Sequence, residues 1–131
     1  MTPLEEQIAQ LRAAYPTTLA TPLPTGAHLV EIRDFQMPVG WSESTVTLIF
    51  LAPAGYPAAQ PDCFWVESAT GKPIRLANGG TPQNSNDSNI IPGLGRARGT
   101  WFSWHLQLWN PNRDTLDGYL RVILRRLDPA R

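Results

Sequence analysis

The chain has 131 residues, 42% of them hydrophobic, and its 11 basic and 11 acidic side chains leave no formal net charge. This length and apolar content suit a single globular domain over residues 1–131, and the balanced charge gives no overall field to draw nucleic acid or an anionic membrane. The one cysteine, Cys63, excludes an internal disulfide and agrees with a reducing compartment, while 13 prolines and 10 glycines argue for many turns rather than a helical bundle.

Thr2 and Pro3 precede residues 4–14, which supplies an N-cap, a proline at the first helical position and acids in the first turn. Leu4, Ile8 and Leu11 share one face, so the spacing predicts a short amphipathic helix that ends before Tyr15 and Pro16. Glu5 and Glu6 stand where a secretory signal needs basic residues, and no apolar run approaches a membrane span, so the sequence reads as cytoplasmic with no membrane partner. Residues 17–26, with Pro22 and Pro24, read as an extended connector.

Residues 28–35 alternate well enough for a strand with Val30 and Ile32 inward, Phe35 as a further candidate and Leu29 loosely placed. A turn over 37–43 leads to a second, β-branched strand over 44–51, which completes an antiparallel hairpin. Residues 53–61 carry Pro53, Pro57 and Pro61 and cross over as a stiff loop into a third strand over 63–66. From 74 to 99 neither period is sustained, and Asn78, the asparagines of 84–89 and Gly93, Gly95 and Gly99 are loop chemistry; a loop this long in a compact domain is usually functional or disordered.

Trp101, Trp104 and Trp109 place three of the five tryptophans within nine positions, enough apolar area for a core to close around. Residues alternating along so short a segment cannot all face one way, so at least one ring is expected near the surface, where Trp serves as a binding anchor. Arg96 and Arg98 lie in a glycine-rich lip ahead of it. Asn112 or Asp114 is expected to cap a last helix whose Leu116, Leu120, Ile123, Leu124 and Leu127 form an apolar stripe, with Arg121, Arg125 and Arg126 toward solvent. Helix, three-strand meander, long irregular loop and helix make an α+β plan.

Ser103 and His105 are two apart, and a hydroxyl beside an imidazole is the minimal form of an activated nucleophile. Cys63, between Asp62 and Phe64 in an expected strand, reads as a packing residue. The loop over 84–89 offers one acid, Asp87, and no histidine or cysteine, which argues against a metal there; no cofactor or metal motif stands out elsewhere.

Gly55-Tyr56-Pro57 followed by Pro61 and Phe64 resembles the Tyr-Pro-x-x-x-Pro-x-x-x-Phe crossover of the ubiquitin-conjugating-enzyme (UBC) superfamily. Trp109-Asn110-Pro111 with Thr115-Leu116 resembles the Trp-Ser-Pro and Leu-Thr signature that follows the catalytic cysteine in that superfamily. Phe64-Trp65-Val66 and the segment from Trp101 to His105 look most like the bacterial branch, the prokaryotic conjugating-enzyme-like family E. The resemblance implies a UBC-like fold, with the 74–99 stretch as the active-site-type loop, and a setting beside ubiquitin-like modifiers and activating-enzyme homologues in mobile or antiphage operons.

The departures are as informative. The superfamily cysteine stands eight residues before the Trp of Trp-x-Pro, which here is Trp101, and no His-Pro-Asn motif lies between Val66 and Trp101. A thioester needs a thiolate and a stabilised tetrahedral intermediate, and neither is supplied in the expected place. The leading expectation is therefore a pseudo-conjugating enzyme, an adaptor that binds a ubiquitin-like modifier noncovalently for an activating-enzyme or conjugating-enzyme homologue. Its expected contacts are Trp101, Trp104, Tyr56, Arg96 and Arg98, the arginines holding an acidic patch or tail carboxylate. The alternative is a transferase that carries the modifier as an oxyester on Ser103 with His105 as base, and a third reading is a purely structural interaction module.

Overall fold

The computed structural model describes residues 1–131. Helix α1 (Pro3–Ala14) starts at a capping box: the Thr2 hydroxyl accepts from the Glu5 amide at 3.1 Å, and the Glu5 carboxylate accepts from the Thr2 amide at 3.2 Å. Its buried residues are Ile8 and Leu11, while Leu4, expected on the same face, packs only partly buried against the core.

Six strands follow, β1 (Thr18–Pro22), β2 (His28–Gln36), β3 (Thr45–Ala52), β4 (Phe64–Ser68), β5 (Ser85–Asn86) and β6 (Thr100–Phe102), and helix α2 (Leu116–Leu127) closes the chain. They form one antiparallel sheet in the order β1-β2-β3-β4-β6-β5. The α+β plan and its UBC-like topology stand, but the expected three-strand meander is only the middle of the sheet. The stretch expected as a connector contains β1, whose only buried residue is Thr18. A strand so placed has no apolar alternation to read, and its position at the sheet edge tolerates Pro22. Likewise β5 and β6 are too short to show a period.

A bulge in β2 explains its uneven pattern. Ile32 pairs with Leu48 and Phe35 with Val46, so β2 spends one residue more than β3 there, with Asp34 at φ 52°. The extra residue brings Phe35 onto the same face as Val30 and Ile32. That face packs with Leu48, Phe50, Phe64, Val66 and Phe102 against α1 and α2. Phe64 and Phe102 stack at 4.9 Å, and Phe50 meets Tyr119 edge-on at 5.3 Å.

The opposite face is covered by the long loop rather than by helices. Ile91 is fully buried against Leu29, Ile49 and Trp65, and the Trp65 indole donates to the Asn89 carbonyl at 3.1 Å. Gly99 brings the end of this loop onto β4: at φ 78°, an added Cβ would lie 2.2 Å from the Val66 carbonyl oxygen.

Two details of α2 correct the sequence reading. Its N-cap is Thr115, whose hydroxyl accepts from the Gly118 amide at 3.1 Å, while Asp114 accepts from the Asn110 amide at 2.7 Å and ties the preceding turn. Arg126, expected toward solvent, is 1% exposed, with its guanidinium 5.0 Å from the Phe102 ring centroid. The aliphatic stem and the cation–π contact make an inward arginine compatible with the apolar stripe. No helix is long and apolar enough to cross a membrane.

Candidate functional site

The crossover between β3 and β4 and the turn before α2 are joined through Tyr56 and Trp109. Their ring centroids lie 5.8 Å apart, and the Trp109 indole donates to the Pro57 carbonyl at 2.8 Å. The Tyr56 hydroxyl donates to Gln7 of α1, and the same Gln7 oxygen accepts from the Leu116 amide at 3.0 Å. Burial, with the nearby Asp114 charge second, pushes the Tyr56 hydroxyl up to about 12.

At the end of the crossover, Cys63 adopts a left-handed conformation, φ 58°, immediately before β4, so it precedes the strand in which the sequence reading placed it. Its backbone is held at both ends: the amide donates to the Trp104 carbonyl at 3.1 Å, and the carbonyl accepts from the Tyr119 hydroxyl at 2.5 Å. The thiol is buried, as the packing reading expects, and burial pushes its pKa up. In an extended chain Asp62 and Cys63 would face opposite sides; the left-handed residue lets both side chains turn toward His105.

β6 ends at Phe102, and the next residues leave the sheet while Ser103 still donates its amide to the Asn84 carbonyl at 2.8 Å. Ser103 and His105 meet, although they are beyond the strand. Ser103 Oγ lies 3.3 Å from His105 Nε2, and His105 Nδ1 lies 2.7 Å from Asp62 Oδ1. Cys63 Sγ is 4.0 Å from Nδ1. With the Asp62 carboxylate accepting from Nδ1–H, the lone pair of Nε2 is left facing the Ser103 hydroxyl, which is the tautomer a general base requires. Asp62 is the residue that sequence reasoning missed: it is 43 positions from His105, and no spacing signal connects the two.

This chain opens on a groove of about 650 Å³ lined by Asn84, Ser103, Trp104, His105, Leu106 and Leu108, among others. Leu108 is 84% exposed on its wall. Trp104 is half-buried, with Arg126 and Arg131 5.7 and 5.6 Å from its ring centroid. Trp101 lies outside this groove. It pairs with Trp65 across β4 and β6 and lines a separate hollow of about 340 Å³ that includes Asp62 and Cys63.

The remaining expected contacts are dispersed. Tyr56 is at the crossover and Arg96 is exposed on the loop. Arg98 is committed to two carboxylates, Glu67 at 2.7 Å and Glu31 at 2.9 Å, and the bonds to them, that to Glu67 foremost, hold its pKa above the usual arginine range. The structure thus gathers Ser103, Trp104 and His105 at one groove, ties His105 to Asp62 of the neighbouring hollow, and leaves Trp101, Arg96, Arg98 and Tyr56 outside the groove.

A family model described as prokaryotic E2 family E matches residues 14–130. The chain belongs to prokaryotic E2 family E. No curated protein and no solved structure matches it. In this E2-family chain the only cysteine is Cys63, beside β4 and buried, while β6 carries Trp101 where the superfamily pattern would put the thiol. The site is that of a UBC-like protein without the cysteine arrangement of its superfamily.

Proposed function

We propose that this E2-family protein carries the C-terminal carboxyl group of a bacterial ubiquitin-like modifier as an ester on Ser103. The observation that supports this reading is the hydrogen-bonded series Asp62, His105, Ser103 at the open groove. Ser103 Oγ attacks the carbonyl carbon of a modifier thioester presented by an activating-enzyme or conjugating-enzyme homologue, and its proton passes to His105 Nε2. The thiolate leaves and takes that proton, and the ester forms on Oγ. Asp62 stabilises the transient imidazolium and holds the ring in place. In the second half, an amine attacks the ester and Ser103 Oγ leaves with a proton returned through His105. The antiphage setting rests on family resemblance alone.

The test is intact-mass analysis of the full chain incubated with ATP and a panel of ubiquitin-like modifiers with their activating enzymes. An adduct resistant to thiol reductant, released by hydroxylamine and absent in Ser103→Ala supports the ester. An adduct that is labile to reductant and tracks Cys63, or no adduct with any pair, overturns it.

A second reading is the noncovalent adaptor, favoured by one specific observation: Trp101 stands at the position of the lost cysteine and lines an aromatic hollow with Trp65. In this reading the modifier binds without an adduct, and binding survives Ser103→Ala and His105→Ala but is lost with Trp101→Ala or Trp104→Ala. Arg96→Ala reports on a tail contact. Arg98→Ala reports on the ion pairs with Glu31 and Glu67 instead.

A further inference from the structure

The cluster around Cys63 has a second chemistry. Asp62, Cys63 and His105 each turn one donor atom, a carboxylate oxygen, a thiol sulfur and an imidazole nitrogen, into a space where all three lie within 4.8 Å of one another. We infer that these three side chains form a binding site for a borderline-soft divalent cation of the zinc type, with the fourth position open to water.

The donor set argues for this class of metal: one thiolate, one imidazole and one carboxylate suit zinc and its spectroscopic substitute cobalt(II), whereas magnesium and calcium take oxygen donors. Bonds of about 2.0 Å to nitrogen and oxygen and about 2.3 Å to sulfur put tetrahedral donors roughly 3.3–3.6 Å apart. The observed separations are 2.7 Å from His105 Nδ1 to Asp62 Oδ1 and 4.0 Å from Nδ1 to Cys63 Sγ. The carboxylate must therefore open slightly from the ring and the sulfur must close slightly on it, moves of roughly 1 Å. Both partners of the short pair are exposed, with side-chain exposures of 62% for His105 and 52% for Asp62, so they are free to make that adjustment.

Two further observations are independent of these distances. Cys63 is a non-glycine residue held in the left-handed region, and the two backbone hydrogen bonds that fix it there aim its sulfur and the Asp62 carboxylate at one point. His105 also has its outer nitrogen 3.3 Å from Ser103 Oγ, an oxygen able to accept the N–H that an imidazole bound to metal through Nδ1 presents. The hollow lined by Asp62, Cys63 and Trp101 gives the ion a path to the buried sulfur.

Binding replaces the thiol proton with the metal and releases one proton to solvent; the carboxylate and the neutral imidazole enter unchanged in charge. The Nδ1 proton moves to Nε2 as the metal takes the Nδ1 lone pair. Nε2 then donates to Ser103 rather than accepting from it, so the metal-bound state and an ester-forming state exclude each other. That consequence rests on the ester reading, whereas metal binding does not.

The test uses the purified full chain, stripped with a chelator and titrated with cobalt(II) alone. One equivalent should produce a sulfur-to-cobalt charge-transfer band with the intense visible bands of tetrahedral coordination, and zinc should bleach both. Cys63→Ser should lose the charge-transfer band, and Asp62→Asn and His105→Gln should each weaken binding at least about tenfold. Absence of the band in the wild-type chain overturns the inference, as does a band of unchanged intensity and affinity in His105→Gln, because a lone thiolate would then be binding. The exposed His105 keeps the test decisive if Cys63→Ser does not fold.

Discussion

The indole of Trp109 donates to the carbonyl of Pro57, 52 residues earlier in the chain. The crossover prolines and the Trp-Asn-Pro turn are therefore one structural unit, and the groove with Ser103 and His105 is built beside it. Tyr56 completes the unit by packing its ring, tilted by 53°, against Trp109 and bonding to Gln7, so α1, the crossover and the start of α2 are tied at one place.

This unit should be energetically coupled. In a double-mutant cycle with Tyr56→Leu and Trp109→Leu, read by urea denaturation, the coupling is expected to be about 1 kcal/mol, the range for an aromatic pair beyond its buried area. Coupling near zero would mean that the two rings act independently. The raised Tyr56 hydroxyl adds a pH signature: its contribution is complete below the ordinary tyrosine value of about 10 and is lost as pH rises through about 12.

Gly99 and Gly95 share nearly the same backbone conformation, with φ of 78° and 77°, but differ in surroundings. Gly99→Ala forces a Cβ into the Val66 carbonyl and is expected to cost about 3 kcal/mol or more, the strain of the left-handed region plus overpacking. Gly95→Ala meets nothing within 4 Å and is expected to cost only about 1 kcal/mol. Thermal melts of the two variants side by side check the difference.

Arg126 is buried without a carboxylate partner, and burial, followed by the charge of Arg131, pushes its pKa down. Its guanidinium donates to the Gln83 and Arg131 carbonyls at 2.7 and 3.0 Å, and Nη1 is left unpaired. Packing over Phe102 is then its main contribution. Arg126→Ala should cost about 2–3 kcal/mol through the cavity, and Arg126→Met should lie within about 1 kcal/mol of the parent chain. Equal losses in both variants would assign the stability to the charge.

Asp87 links the long loop to the sheet. Its carboxylate accepts from Arg75 at 2.6 Å and from the buried Thr100 hydroxyl at 2.8 Å, and these bonds, the arginine's first, hold its pKa below the usual carboxylate value. A depressed folded-state pKa contributes stability above the unfolded value of about 3.9, which is lost as pH falls through the folded value. Since the ion pair is partly exposed, Asp87→Asn should lower stability by about 1 kcal/mol or less at pH 7, and the two chains should converge in acid. A difference that persists unchanged at pH 2 would assign the loss to another cause.

The sequence by itself determined the local elements: the Thr2 and Pro3 start of α1, the alternation of β2 and β3, the stiff proline crossover and the apolar stripe of α2. These are set by capping, backbone restriction and periodicity, all of which act over a few residues. The family resemblance was legible for the same reason, since its motifs are short. Only the tertiary structure decided the rest. β1, β5 and β6 are strands because neighbours supply their hydrogen bonds, and the 87–99 loop is a cover because Ile91 finds an apolar sheet face beneath it. The candidate site is of this second kind. Asp62, Cys63, Ser103 and His105 carry no linking period across 43 positions, and their meeting depends on the left-handed turn at Cys63 and on the chain leaving β6 after Phe102.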